Sequence, residues 1–395
     1  MNTKEKIVYK SDASRIEGQV SQVILPKTSH EVQSIVKFSK NIVPRGAGTG
    51  LVGGAVPLNS IVLDMSKMDK ILVLPDKKLA EVEPGVILED LNQELAKYGL
   101  EFPVNPSSAK SCTIGGMIAT DAVGTRAVKY GKTSDWIKEV EIVNGKGEIV
   151  KISKLDIADV SGMEGITGII VKAKLNLTNL KKRTATLIKV NDINKLAEII
   201  RKLKAKTDVS AIELLDKLTS KYAGLPEVYH LLVEYESDTG QFKDEEYHKI
   251  MDLRDSIYPK LASEGFSHIE DPQVMSFKIP ELAKFLEERN IPFFGHAGVG
   301  ILHPCFKEGQ EGFIESMLNF VKKVNGQISG EHGIGLAKKK FVEENDKKLY
   351  RRIKKRFDPE NKINPGKILD IEEKNEEKPE TEKEKQEEKN EPNIA

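Results

Sequence analysis

Between Gly295 and Gly335 the chain carries three histidines and a glutamate in two glycine-rich loops. The first reads Gly295-His296-Ala297-Gly298-Val299-Gly300-Ile301-Leu302-His303, the second Ser329-Gly330-Glu331-His332-Gly333-Ile334-Gly335. Flanking glycines let backbone approach a ligand closely and leave the side chains at a loop tip. His296, His303 and Glu331 offer two imidazoles and a carboxylate, a donor set suited to Zn, Mn, Co or Fe with positions left open for a substrate. On one continuous strand, residues seven apart point to opposite faces. Gly298, Gly300 and Pro304 argue against a helix, so a strand–turn–strand is the arrangement that brings both imidazoles to one point. The alternative is a pair of buried, hydrogen-bonded histidines without metal. His332 is left over for proton work, and an unperturbed imidazole pKa of ~6.5 suits removal of a hydroxyl proton near neutrality.

Two further glycine-rich stretches suit a phosphate-bearing ligand. The first is Pro44-Arg45-Gly46-Ala47-Gly48-Thr49-Gly50-Leu51-Val52-Gly53-Gly54. It contains a formal G-x-G-x-x-G at Gly48, Gly50 and Gly53, but a Rossmann reading needs a helix immediately afterwards. Pro57, Asn59 and an apolar strand from Ile61 to Met65 follow instead, which excludes it. Glycine N–H groups and the Thr49 hydroxyl can still face an anion without a helix dipole. The second stretch runs from Asn105 to Thr120 and holds Ser107, Ser108, Thr113, Gly115 and Gly116. Two such loops can clamp a dinucleotide from both sides.

The elements that must position these groups are legible from periodicity. Val23–Leu25 reads as a strand, and Thr28 with Glu31 as a capping box for a helix carrying Val32, Ile35 and Val36. Ile42–Val43 runs as a strand into the first glycine loop. Leu88, Leu91 and Leu95 mark a helix stopped by Gly99. Residues 140–152 read as a hairpin, and Ile169 to Leu177 alternate as a half-buried strand. Past residue 180, strands at 184–190, 211–215 and 229–236 alternate with helices near 192–205, 241–263, 278–289 and 308–324, the pattern of a separate α+β domain with an antiparallel sheet. Segment 340–370 is helical and then ends in Asn361-Lys362-Ile363-Asn364-Pro365-Gly366-Lys367.

The chain has 395 residues and zero formal net charge, with no basic bias toward nucleic acid. From Glu372 to Ala395, ten Glu against five Lys leave a net of −5, so the rest stands at about +5, which suits an anionic substrate or cofactor. This tail, 371–395, is too polar to fold and is expected to be disordered. Cys112 and Cys305 allow at most one bridge, and a reducing cytoplasm is the expected setting. There is no secretory h-region and no apolar run of the ~18 residues that a membrane helix requires. Peripheral association with a membrane or a larger complex stays compatible with this reading.

Six segments, PRGAGTGLVGG (44–54), PSSAKSCTIGGMIAT (106–120), GMEGITGII (162–170), GHAGVGILH (295–303), SGEHGIG (329–335) and FDPENKINPGK (357–367), together resemble the FAD-linked oxidases of the vanillyl-alcohol oxidase type. The resemblance is closest to the branch of D-lactate dehydrogenase, D-2-hydroxyglutarate dehydrogenase and the glycolate oxidase flavoprotein subunit, and spans about residues 9–370. It implies an α+β protein with a two-part, PCMH-type FAD-binding domain (1–180), an antiparallel, ferredoxin-like α+β cap (181–340) and a segment (341–370) returning to the FAD side. It implies noncovalent FAD held by Arg45, Gly46, Ala47, Gly48, Thr49, Gly50 and Leu51 from the first loop. From the second come Pro106, Ser107, Ser108, Thr113, Gly115, Gly116, Ala119 and Thr120. Glu164, Gly168 and Ile169 are implied at the adenine end and Asn364 near the flavin. His296, His303 and Glu331 match the metal ligands, and Arg254 matches the arginine that holds the substrate carboxylate, for which a bidentate grip is expected. One departure stands out: the family loop is usually GHxGDGNxH, and Val299 and Ile301 occupy its Asp and Asn positions. The segment Thr120-Asp121-Ala122-Val123-Gly124 likewise replaces an Asn-rich one.

The expected activity is FAD-dependent oxidation of a small 2-hydroxy acid of the D-lactate or glycolate class, by hydride transfer to flavin N5. Electrons would pass to a non-nicotinamide acceptor such as a quinone, an iron–sulfur protein or a cytochrome. Val299 and Ile301 favour one alternative, a metal-independent flavin enzyme acting on an alcohol, polyol or sugar. The charged tail favours another, a flavoprotein subunit of a larger redox complex.

Overall fold

The computed structural model describes residues 5–371, and the acidic tail lies outside them. Its N-terminal half holds two main sheets and a two-stranded pairing of Leu100–Glu101 with Thr178–Asn179. Strands Gln19–Ile24, Leu58–Asp64 and Ile42–Arg45 form a parallel sheet in that spatial order. The connecting helix Ser29–Phe38 is capped by Thr28, whose side chain accepts the Glu31 N–H at 3.2 Å, and it buries Val32 and Val36. A five-stranded antiparallel sheet follows in the order Ile71–Leu74, Leu79–Val82, Ile169–Asn176, Ile137–Val143, Ile149–Ser153. Helix Leu88–Ala96 closes over it with Leu88, Leu91 and Leu95 fully buried.

The second half is built on six strands, each pairing antiparallel, in the order Thr184–Val190, Tyr229–Tyr235, Val209–Leu215, Phe293–Gly295, His303–Phe306, His268–Ile269. Every residue of Val209–Leu215 and of Tyr229–Tyr235 is buried, because both faces are covered. Ile212, Leu214, Leu231 and Val233 pack with helices Leu196–Lys204, Ile279–Glu287 and Glu311–Lys323. The period of two turns Glu213, Leu215 and Glu234 to the other face. There Arg126 of the first half donates from Nε to Glu234 at 2.9 Å, and Arg183 pairs with Glu101, both buried, so ionic contacts join the halves.

Residues 241–263 form two helices, Asp244–Asp255 and Ile257–Ser263. Pro259 has no N–H to return to the Asp255 carbonyl, and the helix breaks at Ser256. The last helix, Glu344–Phe357, leads to a single parallel bridge between Ile363 and Ile42, with Asn364 N donating to Ile42 O at 2.6 Å. The C-terminal segment therefore packs onto the parallel sheet at the foot of the first glycine loop. No helix among the described residues is long and apolar enough to cross a membrane.

Candidate active site

A cavity of about 460 Å³ runs between the halves. Its wall includes Arg45–Val52, Pro106, Ser107, Ser108, Thr113, Gly115, Gly116, Ala119, Thr120, Glu164, Gly168 and Ile169. At its other side stand His303, Glu331 and His332. One space thus collects both glycine-rich stretches and the histidine-bearing loops. The second stretch is not loop throughout: Thr113 caps a short helix, Ile114–Thr120, by accepting the Gly116 N–H at 3.2 Å.

The cradle has no room for side chains where the two stretches meet. A Cβ on Gly46 would stand 2.3 Å from Thr113 Oγ1, and Gly48 has φ +72°. Buried Arg45 Nη1 has no hydrogen-bond partner. A glycine-walled slot with an unsatisfied guanidinium N–H fits a dinucleotide pyrophosphate. Gly46→Val is accordingly expected to weaken FAD binding at least about tenfold, the factor that 1.4 kcal/mol makes. Flavin retained after dialysis measures it, with circular dichroism checking the fold; wild-type flavin content in the variant would contradict it.

The strand–turn–strand forms as the spacing required. Phe293–Gly295 and His303–Phe306 pair antiparallel, with Phe294 opposite His303. His296 Nε2 lies 3.4 Å from Glu331 Oε2, and His303 Nε2 lies 3.4 Å from Glu331 Oε1. One potential ligand atom from each of the three residues falls within 4.8 Å of the others. His296 Nδ1 is bound to Glu213 Oε1 at 2.7 Å, so Nε2 is the nitrogen turned to the cluster, the usual second contact of a metal-bound histidine. Glu331 Oε2 is buried without a hydrogen-bond partner. This donor set fits a divalent metal.

Electrostatics separates the two imidazoles. Burial, helped by His296 and His332 and only partly opposed by Glu331, pushes His303 down to about 3, leaving a neutral ring with a lone pair. For His296, burial also works against charge, but Glu213 and Glu331 outweigh it and carry the ring up to about 9. Burial would raise Glu331, yet His296 and His332 hold it well below the ordinary carboxylate range.

His332 stacks on His303, with centroids 5.3 Å apart and planes at 13°. Its Nε2 lies 3.5 Å from Glu331 Oε1 and its Nδ1 3.5 Å from Asp271 Oδ1. Burial lowers its basicity, but Asp271 and Glu331 more than compensate and raise it above an ordinary histidine.

Arg254 is 2 % exposed and does not itself line the cavity. Its Nε and Nη2 both donate to Glu213 Oε2, at 2.9 and 2.6 Å. The fork expected to grip a substrate carboxylate is thus occupied by a protein carboxylate. Its Nη1 contacts Ser107 Oγ and Asp255, and both of those residues are on the cavity wall. Any substrate contact by Arg254 is therefore made through that single edge. His268 is half exposed, bound to Glu270 at 2.9 Å, and off the wall, so it adds no second cationic contact there.

Asp271, Lys338 and Glu213 help to organise the site and carry no sequence signal, while Glu164 and Asn364 take roles other than the expected ones. Asp271 Oδ2 accepts from Ser329 Oγ and from the N–H groups of Gly330, Glu331 and His332, at 2.6–2.9 Å. Its other oxygen meets the buried Lys338 ammonium, which also lies 2.9 Å from Glu270. Glu213 links Arg254 to His296. Glu164 accepts from Ile334 N and Gly335 N at 2.6 and 2.8 Å and so ties the second histidine loop to the first half. Asn364 is not on the wall: its Nδ2 donates to Gly54 O and Glu164 O at 2.9 and 2.8 Å, behind the first glycine loop. Val299 and Ile301 pack with Val123 and Ala127, so the apolar departures in the two segments meet in one cluster.

A nucleotide cradle closed by an antiparallel domain that presents histidines to the same cavity is a two-domain FAD-binding oxidoreductase fold. The description "FAD binding domain" matches residues 20–153, and "FAD linked oxidases, C-terminal domain" matches residues 242–368. The chain is 32% identical to the D-lactate dehydrogenase of Archaeoglobus fulgidus, over 88% of this chain and 91% of that one. It is 30% identical to the glycolate oxidase subunit GlcD of Bacillus subtilis, over 92% of each. With the D-2-hydroxyglutarate dehydrogenase of Stutzerimonas stutzeri it shares 28% identity, over 88% and 91%. The solved structure of an alkyldihydroxyacetonephosphate synthase aligns at a TM-score of 0.64 and 16% identity, over 87% of this chain and 75% of that one, which bears on the fold alone. The chain belongs to the FAD-linked oxidases, in the branch of the D-lactate dehydrogenases and the glycolate oxidase flavoprotein subunit.

Proposed function

We propose that this protein oxidises a small 2-hydroxy acid of the D-lactate or glycolate class with FAD and hands the electrons to a non-nicotinamide acceptor, a quinone, an iron–sulfur protein or a cytochrome. One observation carries the reading: His332, Glu331 and His303 line the same cavity as both glycine-rich stretches. Bound FAD supplies the acceptor, at flavin N5, for the hydride that leaves the substrate's C2. His332 takes the hydroxyl proton on Nε2, while Asp271 beside Nδ1 steadies the charge the ring acquires. Arg254 takes the substrate carboxylate on its Nη1 edge, with Glu213 fixing the guanidinium from the other side. His296, His303 and Glu331 would hold a divalent metal, which would polarise the substrate's hydroxyl and carboxylate oxygens. In this reading the FAD-binding domain spans about 1–180 and the cap 181–340, with 341–370 returning to the FAD side.

The experiment is to mix FAD-loaded protein with both enantiomers of lactate, and with glycolate, and to follow flavin bleaching and dye reduction. No bleaching by any 2-hydroxy acid would sink the proposal. Prolonged EDTA treatment is expected to lower turnover at least about 100-fold, with recovery on adding back Zn, Mn or Co. The apolar packing of Val299 and Ile301 favours the second reading, metal-free oxidation of an alcohol, polyol or sugar. Undiminished turnover at zero metal content would decide for it.

A further inference from the structure

The lining of the cavity bears on which 2-hydroxy acids it admits, given the activity proposed above. Next to the histidines the wall is apolar. Leu51, Tyr258, Ile269 and Phe294 belong to one hydrophobic cluster with Leu261 and Cys305, and all four face the cavity. Phe294 lies 5.2 Å from His303, ring to ring, so this wall begins one side chain away from where His332 meets a hydroxyl. The Tyr258 hydroxyl donates to Ser267 O at 3.0 Å and is engaged.

The charged side chains of the wall are mostly acidic, Glu164, Asp255 and Glu331 against Arg45. Asp255 lines it, with a side chain 46% exposed. Among the described residues on the wall, Arg45 is the one side chain of permanent positive charge. It sits at the Pro44 end of the first glycine loop, over the Tyr9 ring at 5.6 Å and donating to Val8 O. Leu51, which joins the apolar wall, is at that loop's other end. Arg254 stands behind the wall, and its Nη1 edge, which now meets Ser107 and Asp255, is the one the proposed reading assigns to the carboxylate beside the reacting carbon.

A carboxylate on the substrate's side chain would thus leave water to meet hydrocarbon and Asp255, and the nearby cation, Arg254, 5.7 Å from the Phe294 ring, is already shared between Glu213 and Asp255, which is unfavourable. A methyl or branched alkyl group gains from the same wall. We infer that Tyr258, Ile269 and Phe294 make this a site for 2-hydroxy monocarboxylates with apolar side chains and exclude 2-hydroxy dicarboxylates. The inference rests on the 2-hydroxy acid reading but goes beyond it.

The test compares kcat/KM of the FAD- and metal-loaded enzyme, with a dye acceptor, for lactate, 2-hydroxybutyrate and 2-hydroxy-4-methylpentanoate against malate and 2-hydroxyglutarate, both enantiomers of each. The monoacids are expected to lead by at least about 100-fold, the scale on which a pocket without a partner rejects a polar group. Titrating flavin absorption with 2-oxobutyrate and 2-oxoglutarate reads binding without turnover, and only the former is expected to bind. Ile269→Lys is expected to raise kcat/KM for the dicarboxylates at least about tenfold and to lower it for the monoacids, whereas Ile269→Met changes neither preference. Dicarboxylates used as well as monoacids would overturn the inference and leave the 2-hydroxy acid reading standing. Bleaching by none of the acids would remove both.

Discussion

Replacing His332 by alanine is expected to lower kcat for a 2-hydroxy acid by about 10²–10⁴-fold, the usual worth of a positioned proton acceptor, while FAD stays bound. The ring lies on the cavity wall with Nε2 toward Glu331 and Nδ1 toward Asp271. Each nitrogen thus faces a carboxylate, Asp271 at Nδ1 and Glu331 at Nε2, and the proposed proton transfer uses the Nε2 side. Removing it takes away the acceptor for the hydroxyl proton but none of the groups of the glycine cradle. Flavin absorption of the purified variant should match the wild type, and stopped-flow bleaching should be slow at every substrate concentration. A variant that bleaches at the wild-type rate would show that the proton goes elsewhere and that His332 is a packing partner of His303.

Asp271→Ala is expected to destabilise the protein by about 3–5 kcal/mol, the cost of leaving a buried charge without its partner, and to abolish turnover as well. The carboxylate receives one hydroxyl and three successive backbone N–H groups of the 329–332 loop. It also offsets Lys338, which is 2 % exposed. Burial opposes the charge on Asp271, but His332 and Lys338 hold its carboxyl below the usual range. With the carboxylate gone, the N–H groups of Glu331 and His332 lose their acceptor, while that of Gly330 keeps the backbone carbonyl of residue 271, and Glu270 is the one carboxylate left to the ammonium beside the Ile328 carbonyl. Urea unfolding followed by flavin fluorescence and circular dichroism measures the shift. Asp271→Asn keeps the shape and part of the acceptor capacity, and should fall in between. An alanine variant with the wild-type midpoint would mean that other contacts set the loop.

These two residues differ in how visible they are in the chain itself. His332 sits between glycines in a loop whose composition declares it, and the strand–turn–strand around His296 and His303 follows from seven-residue spacing with glycines and a proline. The first strands with their capped helix, the hairpin and the cap strands at 184–190, 211–215 and 229–236 are equally legible, because hydrophobic period and turn residues are local properties; the parallel pairing of the first strands is not. Asp271 has no such mark. It is one acid among many, and its four hydrogen bonds come from residues about sixty positions away. Glu213 reads as a polar interruption in a buried strand until the fold sets it between Arg254 and His296.

Arg254 marks the boundary. Resemblance named it as a carboxylate holder, and the fold brings it to the edge of the cavity but spends its paired N–H groups on Glu213. Sequence by itself determined the class of fold and marked the glycine-rich stretches, the candidate metal donors and the candidate base, since each depends on residue types within a short stretch. Tertiary structure alone decided which carboxylates orient those histidines, that Glu164 ties the 329–335 loop to the first half while Asn364 joins two loops within it, and that the cavity beside His303 is walled by hydrocarbon and Asp255. Those are contacts between residues far apart in the chain, and their partners are chosen by how the two halves pack.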